Sequence, residues 1–155
     1  EMSVILSGSP LLMFLKNILL KNKIIMKRFL EWIKIKEFLH LKKNPPGFNE
    51  QEMWWANIGE NIGHEEDGKD VRFVRPFIII KKFNKDLLFG IPCSSVLKEN
   101  KYYYRVNVET SDFETAALLS QARTISSKRL VRIIDKIGSG SFGELKTALI
   151  KAVFG

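Results

Sequence analysis

The stretch that most limits how this chain can fold runs from Glu52 to Ile80. It opens with an aromatic run, Met53 to Ile58, and closes with Arg75-Pro76 and the unbroken apolar segment Phe77 to Ile80. Aromatic and β-branched residues suit a pleated, half-buried surface, so both ends predict strands. Between them lies a polar segment rich in glycine that holds His64, Glu65, Glu66 and Asp67, and its chemistry is that of turns. A loop of about fifteen residues between two strands is uncommon in a compact domain unless it carries function. The pattern therefore predicts a sheet protein with its site candidate at one pair of strand ends, where an imidazole, several carboxylates and a guanidinium gather.

Beyond this stretch the chain keeps the character of a sheet. Phe77 to Lys82 runs into the turn Asn84-Lys85-Asp86, and Leu87 to Pro92 is the next strand, ending in Pro92-Cys93-Ser94-Ser95. Lys101 to Val108, Thr115 to Gln121, Arg123 to Ile125 and Leu130 to Ile134 come after it. Short strands this close together, with turn signals between them, predict a small β-barrel rather than alternating β-α units. Leu145, Leu149 and Ile150 fall at helical spacing, so Glu144 to Val153 closes the chain as a helix. Ile137 to Gly143 matches the glycine-rich phosphate loop of protein kinases, but the twelve residues after it cannot complete a kinase site. That segment reads as a flexible turn before the last helix.

Ahead of the sheet, Met26 to Lys43 interleaves Phe29, Trp32, Ile33, Phe38 and Leu39 with Lys34, Lys36, Glu37, Lys42 and Lys43. This predicts a helix docked through its aromatic side; the functional alternative is a basic helix that grips RNA phosphates. Asn44-Pro45-Pro46-Gly47 ends it as a linker. Residues 1–25 read as a poorly ordered or artefactual extension, since Leu11 to Ile25 is broken by Lys16, Asn17, Lys21, Asn22 and Lys23, and no stable membrane insertion is expected. The fold class is mainly β with helices (α+β): an extension over 1–25, a helix and linker over 26–47, and a barrel domain over 48–155.

The formal net charge of +8 points to an anionic partner, but unevenly: residues 1–50 carry nine Lys/Arg against four acids, and residues 51–155 carry sixteen against thirteen. The single cysteine, Cys93, excludes an internal disulfide, and with two histidines it argues against a structural zinc site. A reducing, cytoplasmic setting fits.

Four motifs in order carry a resemblance. Gln51-Glu52-Met53-Trp54-Trp55 is similar to the opening strand of the MazF/PemK toxins of bacterial type II toxin–antitoxin systems, including their Kid-like branch. Asn61-Ile62-Gly63-His64-Glu65-Glu66-Asp67-Gly68 followed by Arg75-Pro76 resembles that family's active-site loop. Ile91-Pro92-Cys93-Ser94-Ser95 resembles its Val-Pro-x-Thr-Thr/Ser segment, and Leu119 to Leu130 its Gln-x-Arg-Thr-Ile segment. The resemblance covers Glu52 to Val153 and leaves out residues 1–50.

What the resemblance implies is an SH3-like barrel, a homodimer, and an endoribonuclease (mRNA interferase) that cuts single-stranded mRNA by 2′-OH attack without metal or other cofactor, restrained by a cognate antitoxin. That chemistry needs a base, an acid and donors on the phosphorane. Arg75 is the candidate for phosphate charge, Ser94 for donation to a phosphate oxygen and His64 for acid/base work. Ser95, Gln121, Arg123 and Lys82 are the RNA-binding candidates. Each has a plain alternative: Arg75 tying down the loop through Glu65, Glu66 or Asp67, Ser94 capping a turn, His64 solvated, Gln121 and Arg123 paired inside the sheet. The Kid-like branch carries an Arg and an Asp where this chain has Leu118 and Ser120, so a catalytic carboxylate is missing there. Lys69 to Phe73 lengthens the loop. The same barrel also serves toxins that bind DNA gyrase, so the alternative function is a non-catalytic inhibitor or RNA-binding module.

Overall fold

The computed structural model describes Pro10 and residues 27–110 and 114–155; the expectation for residues 1–25 otherwise lies outside them. Helix α1 (Phe29–Leu41) precedes strands β1 (Glu52–Asn57), β2 (Val74–Lys82), β3 (Leu87–Ser94), β4 (Tyr103–Val106), β5 (Thr115–Leu118), β6 (Arg123–Ser126) and β7 (Leu130–Lys136), and helix α2 (Ser139–Phe154) ends the chain. The expected α+β class, mainly β, is what the chain adopts. The strands pair antiparallel in the order β4-β5-β3-β2-β1-β7, with β6 also on β3. The sheet curls without closing. Among the described residues a bridge, Val108 to Ile137, spans from beyond β4 to the end of β7.

The apolar run in β2 is unbroken because both faces of this central strand are covered. Ile78 and Ile80 point, with Met53, Ile91 and Cys93, into the cluster under α2, where Phe142, Leu145 and Leu149 cap it. Phe77 and Ile79 point the other way, onto Trp54, Leu88, Ile125 and Leu130. Irregularities in the β1–β7 pairing near Trp54 and in the β2–β3 pairing near Ile80 help the sheet to curl.

Two expectations are corrected. The glycine-rich segment before the last helix is no flexible turn: Ser139 to Gly143 is the first turn of α2, with the Phe142 N–H on the Gly138 carbonyl at 2.9 Å. Phe142 is buried three residues before Leu145, so the helical stripe begins earlier than Glu144. Strand β5 stops at Leu118, because Leu119–Gln121 tightens into a 3₁₀ turn.

Helix α1 docks through Trp32 and Leu39, whereas Phe29, Ile33 and Phe38, expected on the same docked side, are exposed. Trp32 and Leu39 are buried with Phe73 in a third apolar cluster, edged by Ile35. Among the described residues no helix is long and apolar enough to cross a membrane.

Candidate functional site

The site forms where β3 changes partners. One edge of β3 pairs with β2; the other pairs with β6 over Leu87–Gly90 and with β5 over Cys93–Ser94. Pro92, which has no N–H to offer, falls between the two. The 3₁₀ turn Leu119–Gln121 joins β5 to β6 and carries Gln121 toward the loop between β1 and β2.

Arg75 stands at the second position of β2, opposite Ala56 of β1, and is buried. Its Nε donates to the Asp67 carbonyl at 2.7 Å and its Nη1 to the Cys93 carbonyl at 3.1 Å. Its Nη2 is in contact with a Glu66 carboxylate oxygen. Three of the five guanidinium N–H bonds thus hold the loop and β3 in place. Ser94 follows Cys93, whose carbonyl Arg75 holds, and pairs with Ala116 of β5. Ser94 is buried; its Oγ accepts from the Val96 N–H at 3.1 Å, and its carbonyl accepts from the Thr115 hydroxyl at 3.1 Å. The intervening Cys93 is inert: burial pushes its thiol far above the usual range, and the Arg75 charge opposes that only in part.

The loop is built rather than slack. Ile58 and Phe73 bond across its base at 2.9 Å, and the Gly68 N–H reaches the Gly59 carbonyl at 2.7 Å. Asp67 is spent on both oxygens, one taking the Asn61 N–H at 2.6 Å and the other the Lys27 ammonium at 2.8 Å. Asn61 returns a bond from Nδ2 to the Glu66 carbonyl at 2.8 Å. Gln121 clamps the loop from the sheet, accepting from the Glu66 N–H at 3.0 Å and donating to the His64 carbonyl at 3.1 Å. His64 is exposed at the rim. The inserted Lys69 to Phe73 makes a tight hairpin, Lys69 against Val74, that tucks Phe73 under α1.

Arg75 is joined to Gln121 through Glu66, Gln121 also holds the His64 carbonyl, and Ser94 follows Cys93, whose carbonyl Arg75 binds. Ser95, exposed, follows Ser94 directly, and Arg123 follows Gln121 at the start of β6, half-buried. Lys82 does not join them. It ends β2 at the far side, with its Nζ on the Phe48 carbonyl at 2.7 Å.

Sequence reasoning missed the cations that brace the loop from outside. Lys27 holds Asp67 and Asn61, while Arg28 donates to the Asp70 carbonyl at 2.7 Å and lies 4.5 Å over the Phe73 ring. Arg129 donates to the carbonyls of Asn57 and Ile58 and lies 5.4 Å from the Trp32 ring. Burial, then the charge of Arg123, lowers its pKa. The available signal was faint: Lys27-Arg28 with Trp32 one helical turn on. Trp32 itself explains Gly59, whose φ is 104° and whose added Cβ would lie 2.5 Å from the indole.

The sequence matches the family described as PemK-like, MazF-like toxin of type II toxin-antitoxin system over residues 49–153. The chain belongs to this family. Helix α1 and the bracing residues Lys27 and Arg28 lie outside the matched span. Comparison with curated protein sequences gives no match. Among solved structures, MazF (Form-I) of Deinococcus radiodurans is similar with a TM-score of 0.55 at 15% identity, covering 70% of this chain and 97% of that one. An endoribonuclease of a mycobacterial species, in complex with its cognate antitoxin, gives 0.52 at 8% identity, covering 67% and 92%. The Mycobacterium tuberculosis toxin MazF-mt6 gives 0.50 at 14% identity, covering 65% and 94%. At such identities the likeness is one of fold. Among the described residues no group of three or more His, Cys, Asp and Glu is placed to hold a metal ion.

Proposed function

We propose that this protein is the toxin of a type II toxin–antitoxin system and acts as a metal-independent endoribonuclease on single-stranded mRNA. The observation that carries the reading is Arg75, a guanidinium fixed by backbone carbonyls at the mouth of the loop and already facing a carboxylate anion. A group so held is preorganised for a phosphate, which has the geometry that guanidinium recognises. Ser94, next in the chain to the Cys93 carbonyl that Arg75 holds, supplies a hydroxyl donor to a phosphate oxygen. His64, on the rim, supplies a proton to the leaving 5′-oxygen. Gln121, Arg123 and Ser95 flank this point and contact RNA; Lys82 engages only a strand long enough to reach the far end of β2. The toxin domain spans residues 48–155, works as a homodimer, and is restrained in the cytoplasm by an antitoxin, a reading supported by the similar endoribonuclease held by its own antitoxin.

A second reading, a non-catalytic binder of the same fold, draws on one observation: three Arg75 N–H bonds are spent within the protein, as in a purely structural arginine. The test is cleavage of a mixed-sequence single-stranded RNA in EDTA. Wild type leaves 2′,3′-cyclic phosphate ends, while Arg75→Ala, checked for folding by circular dichroism beside Arg75→Lys, loses about 100-fold or more. A folded wild type that leaves RNA intact sinks the nuclease and favours the binder.

A further inference from the structure

Attack by a 2′-OH needs a base within reach of that proton; with Arg75 and Ser94 given to the phosphate and His64 to the leaving 5′-oxygen, another group has to supply it. The loop carries five carboxylates, Glu60, Glu65, Glu66, Asp67 and Asp70, the last of which faces Arg72 and takes its N–H. Asp67 has both oxygens engaged, with Lys27 and the Asn61 N–H. Glu60 faces Arg28 at 4.0 Å, on the α1 side of the loop, and Glu65 is exposed. Glu66 alone among them touches Arg75, and its side chain is 26% exposed, so solvent and substrate reach it. Its main chain is pinned at both ends, N–H to Gln121 and carbonyl to Asn61. The backbone is thus fixed independently of the carboxylate, whose contact is Arg75.

We infer that Glu66 is the general base of the reaction, held on Arg75 until substrate phosphate displaces it. The inference rests on the ribonuclease reading. When a phosphodiester enters, the guanidinium exchanges one anion for another, and the Glu66 carboxylate is released next to the same phosphorus, where the 2′-OH lies. The carboxylate takes the 2′-OH proton as the O2′–P bond forms and the P–O5′ bond breaks. The 5′-oxygen leaves with the proton that His64 gives, so the products are a 2′,3′-cyclic phosphate and a 5′-hydroxyl. The charged groups around Glu66 are Arg75 from β2, Lys27 ahead of α1 through Asp67, and His64, Glu65 and Asp67 within the loop; Gln121 faces it from the 3₁₀ turn without charge.

The experiment is the pH–rate profile of metal-free RNA cleavage by wild type, Glu66→Gln and Glu66→Asp. Glu66→Gln keeps the shape and the hydrogen bond to Arg75 but cannot take a proton. Its kcat falls about 100-fold or more with KM little changed, and the acid-side fall in rate disappears. Glu66→Asp keeps the acid-side limb at a reduced rate. Cleavage by Glu66→Gln within about threefold of wild type, or a slow variant that keeps the acid-side limb, overturns the assignment and leaves the nuclease standing. A wild type that does not cleave overturns the nuclease and this inference with it.

Discussion

Helix α1 is a short addition outside the family-matched span, and Trp32 is its anchor, which makes Trp32→Ala the most informative perturbation. The indole is only 5% exposed. Burying about 200 Å² of it at about 25 cal/mol/Å² amounts to about 5 kcal/mol, an upper bound because an unfolded chain already hides some of that surface. Large-to-small replacements of buried tryptophan cost about 3–5 kcal/mol, so about 4 kcal/mol is expected here. That loss is local. Without Trp32, α1 retains only Leu39 and the edge of Ile35 as buried apolar anchors, and a helix this short does not persist alone. Gly59 and Phe73 lose their cover at the same time, and with it the loop loses its brace. Native-state hydrogen exchange reads this directly. In Trp32→Ala the α1 amides and the loop amides of Ile58 and Gly68 lose up to about a thousandfold in protection, while Ile78 and Ile91 in the central strands keep theirs. Loop amides that hold their protection after α1 has come away would refute the idea that the helix supports the site. An equal loss in β2 and β3 would show instead that α1 belongs to the global core.

Gly143 sits inside α2 where an added Cβ meets nothing within 4 Å, so Gly143→Ala is expected to stabilise by about 0.5–1 kcal/mol, seen as a rise of a few degrees in Tm. Glu50 is held below the usual carboxylate range by the Lys82 N–H and then by Lys81. A depressed carboxylate adds stability that is present above its unfolded pKa and lost as pH falls through the folded one. Between about pH 6 and about pH 3, denaturant titrations should therefore show wild type losing stability more steeply than Glu50→Gln, by a small margin because the pair is solvated; parallel curves would contradict the assignment.

The sheet was legible because its signal is local. Phe77 to Ile80 read as a strand from its unbroken apolar run, though not as one covered on both faces, and of the apolar residues expected to dock α1 only Trp32 and Leu39 are buried. The start of α2 was hidden by glycines: Gly138, Gly140 and Gly143 read as a loop, whereas Phe142, Leu145 and Leu149 are one buried helical stripe. Tertiary packing overrode propensity there. In the site, Arg75 announced itself at the loop end, but its partner did not. Three consecutive acids, Glu65, Glu66 and Asp67, are equivalent in sequence; Asn61 and Lys27 take Asp67, and that leaves Glu66 on the arginine. Asn61 acts from within the loop, but Lys27 acts across the fold, which no local pattern encodes. Lys82 shows the converse. Seven strand residues beyond Arg75 place it about 23 Å away, a separation that follows from strand rise alone.

The abundance of acids around a site proposed for RNA has a physical reason in the burial of Arg75. An unpaired guanidinium at that depth is costly, and removing one partner of a buried pair is worse than never having had it. Glu66 meets that need while the site is empty. Binding a phosphate then replaces one carboxylate by another anion, so the guanidinium is never stripped of a counter-charge and the backbone bonds to Asp67 and Cys93 stay intact. The exchange adds little net attraction. Attraction for the polyanion therefore has to come from elsewhere, and the excess positive charge of the chain lies largely in residues 1–50, nine cations against four acids, of which Lys27 and Arg28 are already engaged on the loop. On this account specificity of chemistry resides in the family fold, and affinity for RNA resides disproportionately in the segment added ahead of it. Salt should accordingly weaken RNA binding through those lysines far more than it disturbs the Arg75–Glu66 pair, which is largely shielded from solvent on the arginine side.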